Sequence, residues 1–305
     1  MTQNRNVHII GAATSFGQPK LGVDLGPDAI RHAGIVKTLS ELGMSITDRG
    51  NVSCETDGIA SQYVNRKESN LLNYNAVKSF NTSLAAEVDD AVASGAFPLI
   101  LGGDHSLAIG SLAGISKHYD NLGVIWYDAH GDLNDSRTSP TGNIHGMPLG
   151  ISCGFGDQDL VNLYNEGQKI KPENVVLIGV RDLDEGEKKY IKENGILTFT
   201  MMDIRVKGIK AVVGEAISHL SERCDGIHLS LDVDGLDPLE TPGTGTPVPG
   251  GLSLSETQLA MQVLNVSGQI TSMDLVEVNP LLDNKNMTAE KAVEIAAWLF
   301  GKKQL

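Results

Sequence analysis

Asp128, His130 and Asp132 set a carboxylate, an imidazole and a second carboxylate at alternate positions, directly after an apolar run over 121–127. That run has the length and sheet-favouring composition of a strand. In an extended chain, alternate side chains fall on one side of the backbone. Crowding such groups at a buried strand end is costly when they are unpaired. A bound metal ion removes the cost; an Asp/His-rich surface loop is the plainer alternative for this stretch alone. Two further strand ends favour the metal. Residues 97–101 run into Gly102, Gly103, Asp104, His105 and Ser106, and 226–231 run into Asp232, Val233 and Asp234. In an open parallel sheet, ligands bind outside the carboxyl ends of the strands.

The candidate ligands are His105, Asp128, His130, Asp132, Asp232 and Asp234. Imidazole and carboxylate donors without sulfur favour Mn²⁺ and leave Fe²⁺, Co²⁺ or Zn²⁺ open. Four carboxylates balance two divalent ions. A pair about 3.5–4 Å apart acidifies bridging water enough to give hydroxide at neutral pH. Asp232, Asp234 and Gly235 begin like a calcium loop, but Leu236 and Pro238 break the pattern and no twelfth-position Glu follows. No dinucleotide or P-loop glycine motif occurs.

The elements that must position these groups alternate in type. Strands are expected over 7–11, 97–101, 122–127, 174–180, 196–199, 227–231 and 270–278. Helices are expected over 28–42, 75–94, 106–118, 184–193, 209–222, 255–265 and 288–300. Residues 51–72 read as a polar surface excursion, 130–146 as a long functional loop and 238–251 as a Pro/Gly-rich loop. The alternation predicts an α/β fold, a doubly wound, mostly parallel sheet with helices on both faces. No linker or repeat interrupts it, so residues 1–305 are expected to form a single domain.

A net charge of −14 with no Lys/Arg run excludes nucleic acid and anionic membranes as partners. The three cysteines, Cys54, Cys153 and Cys224, are widely spaced, and the polar start carries no signal-peptide core. Both point to the reducing cytoplasm.

The segments 102–106, 128–132 and 230–238 resemble the three signatures of the ureohydrolases, the family of arginases, agmatinases and related amidinohydrolases, and the likeness runs over essentially the whole chain. The resemblance implies the arginase-like fold and two Mn²⁺ per subunit. One ion would be held by His105, Asp128, Asp132 and Asp232, the other by His130, Asp128, Asp232 and Asp234, with hydroxide bridging. The loop from Asn134 through Ser139, Pro140, Thr141, Gly142, Asn143, Ile144, His145 and Gly146 resembles the arginase loop that binds the amino-acid end of the substrate. Asn134, Thr141 and Asn143 suit an α-carboxylate, and Asp184, in the segment 181–187, would meet the α-ammonium. Agmatine, without a carboxylate, would leave such donors unpaired. Thr246 in 241–247 and Glu277 in 275–280 complete the match, Glu277 fixing the guanidinium by a bidentate contact. His130 joins the residues expected to touch substrate.

The implied reaction is hydrolysis of L-arginine to L-ornithine and urea by attack of the bridging hydroxide on the guanidinium carbon. Asp128 would pass a proton to the leaving amine, and His145 would shuttle protons. Agmatinase or another guanidino-acid hydrolase is the alternative. The resemblance also implies association as a homotrimer or, given the short segment after the last helix, a homohexamer.

Other polar residues have plainer expectations. Asp104 should orient His105 or cap a turn, and Asp237 should serve a turn. Arg137 would either add affinity for the carboxylate or point to solvent, and the second is expected. His8, His32, His118, His219 and His228 should pack or lie at the surface, and Met201 and Met202 should lie in the core.

Overall fold

The computed structural model describes residues 5–54 and 70–304. Eight strands form one sheet: β1 Asn6–Ala12, β2 Ser45–Asn51, β3 Phe97–Gly102, β4 Leu122–Tyr127, β5 Val175–Val180, β6 Leu197–Thr200, β7 Gly226–Asp232 and β8 Ile270–Val276. Their order is β2-β1-β3-β8-β7-β4-β5-β6, and every pairing is parallel. The α/β expectation holds, and the sheet is wholly rather than mostly parallel.

The inner strands β3, β4, β5 and β7 are buried at every residue, as parallel strands covered on both faces must be. Alternation divides their side chains between two apolar layers. Leu99, Ile125, Ile178 and Leu229 belong to one, and Ile100, Val124, Trp126 and Leu177 to the other.

Two local expectations need correction, and one strand was not foreseen. The helix expected over 28–42 is two helices, Gly26–His32 and Ile35–Glu41, because Gly34 sits between them at φ 96°. Residues 45–51 carried no expectation, yet they form edge strand β2; its polar sequence has no buried residue to announce it. Met201 is buried, but Met202 is exposed, because both lie on the short helix Met201–Lys207, which presents only one side to the core. Of the excursion expected over 51–72, residues 55–69 lie outside the described residues.

The sheet brings the carboxyl ends of β3, β8, β7 and β4 side by side. Those four ends carry His105, Glu277, Asp232 and Asp128 into one region.

Candidate active site and metal centre

β4 ends at Tyr127, and Asp128 continues it by donating its backbone N–H to Ile178 O of β5 at 3.0 Å. The next turn folds back on itself. Asp128 Oδ1 accepts the His130 N–H at 2.7 Å, and Asp132 adopts a left-handed backbone at φ 52°. The β7 end repeats the device, with Asp232 Oδ1 accepting the Asp234 N–H at 2.7 Å. After β3, Asp104 caps the turn His105–Leu107 by accepting the Ser106 N–H, and its other oxygen takes the Gly17 N–H at 3.0 Å. Asp104 is thus a turn cap, and Asp237 likewise accepts the N–H groups of Leu239 and Gly250.

These turns converge. His105 Nδ1 lies 3.1 Å from Asp128 Oδ2, 3.1 Å from Asp132 Oδ2 and 3.4 Å from Asp232 Oδ2. His130 Nδ1 lies 3.3 Å from Asp128 Oδ1 and 3.2 Å from Asp234 Oδ2. Two trios result, His105–Asp128–Asp132 and Asp128–His130–Asp234, and Asp128 belongs to both through its two oxygens.

The electrostatics of this cluster call for cations. Burial, then the neighbouring Asp128, pushes Asp234 up to about 6. Burial, then Asp234 and Asp128, raises Asp232 well above the carboxylate range. Burial opposes charge on His105, but the adjoining carboxylates of Asp128, Asp132 and Asp232 overcome it and hold the imidazole well above its ordinary value. A site that raises carboxylates and an imidazole together favours added positive charge, which divalent ions supply. His105 Nδ1 and Asp128 Oδ2 are buried without a hydrogen-bond partner. Orphaned donor atoms aimed at one another, all nitrogen or oxygen, fit a dinuclear divalent centre.

A cavity of about 270 Å³ opens above the cluster. His105, His130, Asp132 and Asp232 line its floor, and Asn134, Thr141, Asn143, His145, Asp184 and Thr246 line its wall. Several of these side chains are already engaged. Asn134 Nδ2 donates to Asp184 Oδ2 at 2.7 Å, whereas Asn134 Oδ1 and Asn143 Oδ1 are buried without partners. Thr246 donates to Asp234 Oδ2 at 2.9 Å.

His145 follows the expected loop on a short turn, Ile144–Gly146, and its Nδ1 lies 3.2 Å from Glu277 Oε1. Burial opposes its charge, but the bond to Glu277 raises its pKa. Glu277 is buried beneath the wall with its backbone at φ 64°. Its Oε1 also accepts the His105 N–H at 2.9 Å, and its Oε2 accepts Gln18 Nε2 at 2.7 Å. Arg137, by contrast, is exposed and paired with Asp135 at 2.7 Å.

Two contributors carried no expected role. Glu187 lines the cavity, closes a capping box with Asp184 and accepts the Leu133 N–H. The spacing of Asp184 and Glu187 was a readable capping-box signal. Arg181 donates to the carbonyls of Gly179, Gly235, Asp234, Leu236 and Val248, tying the β5 end to the turn that carries Asp234. Nothing local in the sequence announces that clamp.

Comparison with known proteins agrees with this geometry. Residues 5–301 match the Arginase family. The chain is 52% identical to the arginase of Bacillus subtilis (strain 168) over 99% of its own length and 100% of the relative's. It is 53% identical to the arginase of Bacillus caldovelox over 97% of this chain and 98% of that one. The crystal structure of the Bacillus caldovelox arginase superposes with a TM-score of 0.95 at 51% identity, covering 99% of this chain and all of that one. Matched over nearly its whole length, the chain belongs to the arginase family.

Proposed function

We propose that the chain is a manganese-dependent hydrolase that converts L-arginine to L-ornithine and urea. It would act in the cytoplasm as one domain per subunit of a homohexamer or homotrimer. The observation that carries the reading is the pair of His–carboxylate trios sharing Asp128 at the floor of a cavity walled by polar side chains.

His105, Asp128, Asp132 and Asp232 would hold one ion, and His130, Asp128, Asp232 and Asp234 the other. Bound there, divalent ions acidify water and so supply hydroxide at neutral pH. The protein's own groups do the rest. Asp128, with an oxygen toward each trio, stands where a proton from attacking water can be taken up and passed to the leaving amine. His145, raised in pKa and lining the cavity, holds a proton at the mouth and returns it between solvent and site. Glu277 offers the guanidinium a buried carboxylate. Thr246 and His130 border the reacting end of the cavity.

At the far end, Asn134, Thr141 and Asn143 would meet the α-carboxylate and Asp184 the α-ammonium. A substrate without the carboxylate leaves that wall partly unpaired, which favours arginine over agmatine.

Urea release by manganese-loaded protein, with L-arginine and agmatine side by side, tests the reading. Urea from arginine alone is the expected result. Urea from agmatine alone would retain the metal chemistry and overturn the assignment of 134–143. No urea from either, with two ions bound per chain, would redirect the search to other guanidino acids.

A further inference from the structure

Gln18 lies in the turn after β1, far in sequence from every group of the cavity, yet it is buried, with 3% of its surface exposed. Its Nε2 donates to Glu277 Oε2 at 2.7 Å. A carboxylate offers about four lone-pair sites, two on each oxygen. On Glu277, both sites of Oε1 face donors, the His105 N–H and His145 Nδ1. One site of Oε2 is taken by Gln18, which leaves one.

We propose that Gln18 is a positioning residue for substrate selection. It holds the Glu277 carboxylate in the one rotation that turns its remaining Oε2 lone pair toward the guanidinium end of the substrate. The proposal rests on the reading of Glu277 as the guanidinium acceptor.

The turn is built to hold that amide still. Gly17 donates its N–H to Asp104 Oδ2 at 3.0 Å and accepts the His145 N–H at 3.1 Å. A Cβ at Gly17 would lie 2.2 Å from Asp104 Oδ1, so no side chain fits there. Across the amide, a Cβ at Gly245 would lie 2.9 Å from Gln18 Oε1. The Gln18 carboxamide is therefore packed against the loop that carries Thr246. Without its N–H, the Glu277 carboxylate keeps only donors on Oε1 and can rotate about that side.

The test is a double-mutant cycle on the metal-loaded enzyme with Gln18→Met, which keeps volume and burial but removes the donor, and Glu277→Gln. Three quantities are read: kcat/KM for L-arginine, the affinity for L-norvaline by calorimetry, and metal content. L-norvaline carries the amino-acid end without a guanidinium. Loss of one hydrogen bond to a charged group should lower kcat/KM about ten- to a hundredfold in Gln18→Met. Norvaline affinity and metal content should stay at wild-type levels, and Gln18→Met should cost little more in the Glu277→Gln background. Equal losses for arginine and norvaline would overturn the proposal, because Gln18 would then only shape the cavity. A normal kcat/KM in Gln18→Met, with Glu277→Gln impaired, would overturn the proposal and keep the Glu277 reading. A normal kcat/KM in Glu277→Gln would overturn both.

Discussion

His105 lies flat against Trp126, with ring centroids 4.1 Å apart and ring planes within 5° of parallel. Trp126 is buried on β4, two residues before Asp128, so an indole forms the back wall of the imidazole trio. Metal loading at His105 should therefore change the emission of Trp126. The chain has two tryptophans, and the other, Trp298, lies on the helix Met287–Leu299. Removing divalent ions with a chelator should alter tryptophan fluorescence in the wild type, and Trp126→Phe should abolish the response. A response of undiminished size in Trp126→Phe would refute the assignment.

The sharing of Asp128 by both trios predicts unequal metal losses. Asp132→Asn weakens one trio, and about one ion per chain should survive gel filtration. Asp128→Asn weakens both, and occupancy should fall well below that. Elemental analysis after desalting measures it. Equal stoichiometry in the two variants would rule out the sharing.

His145 touches Glu277 but no carboxylate of the trios within ion-pair distance. His145→Asn should therefore keep full metal content and lower kcat on the order of 10²- to 10⁴-fold. Loss of metal instead would place His145 among the ligands.

A surface cluster gives a pH signature independent of the active site. Asp89 accepts from His118 Nε2 at 2.6 Å and from Tyr164 at 2.6 Å, and it pairs with Lys117. Burial works against its charge, but hydrogen bonds from Lys117, Tyr164 and His118 outweigh it and lower the carboxyl from 3.8 to about 2. A folded pKa below the unfolded one means that the stabilisation is complete above about pH 4 and fades as pH falls toward about 2. Denaturant unfolding of metal-free wild type and Asp89→Asn should show a gap at pH 7 that narrows through this window. A gap that widens on acidification would contradict the sign.

The groups at the three strand ends were legible because each breaks a local rule: an apolar run stops on carboxylates and imidazoles that packing alone does not explain. The inner strands were legible for the same reason, being apolar at nearly every position. Edge strand β2 escaped because the residues of a solvent-facing edge need not be apolar. The short helix Met201–Lys207 escaped because its signal is the capping box of Thr200 and Asp203 rather than a periodic stripe. Gln18 and Arg181 escaped for a different reason. Their partners are 259 and up to 67 positions away, and no window of sequence holds both ends of such a bond.

Among the described residues, Asp132 and Glu277 are the two non-glycine residues of the cavity region with a left-handed backbone, at φ 52° and 64°. For residues with a side chain, that conformation costs roughly 1–2 kcal/mol each. Asp tolerates it better than Glu does. Glycine would relieve the cost at either position, so Asp132→Gly and Glu277→Gly should ease the backbone while giving up a carboxylate. Keeping a carboxylate at these two points therefore costs the fold backbone strain that glycine would avoid. Efforts to raise its melting temperature belong on the outer helices and the β2 edge, away from the turns that aim these carboxylates.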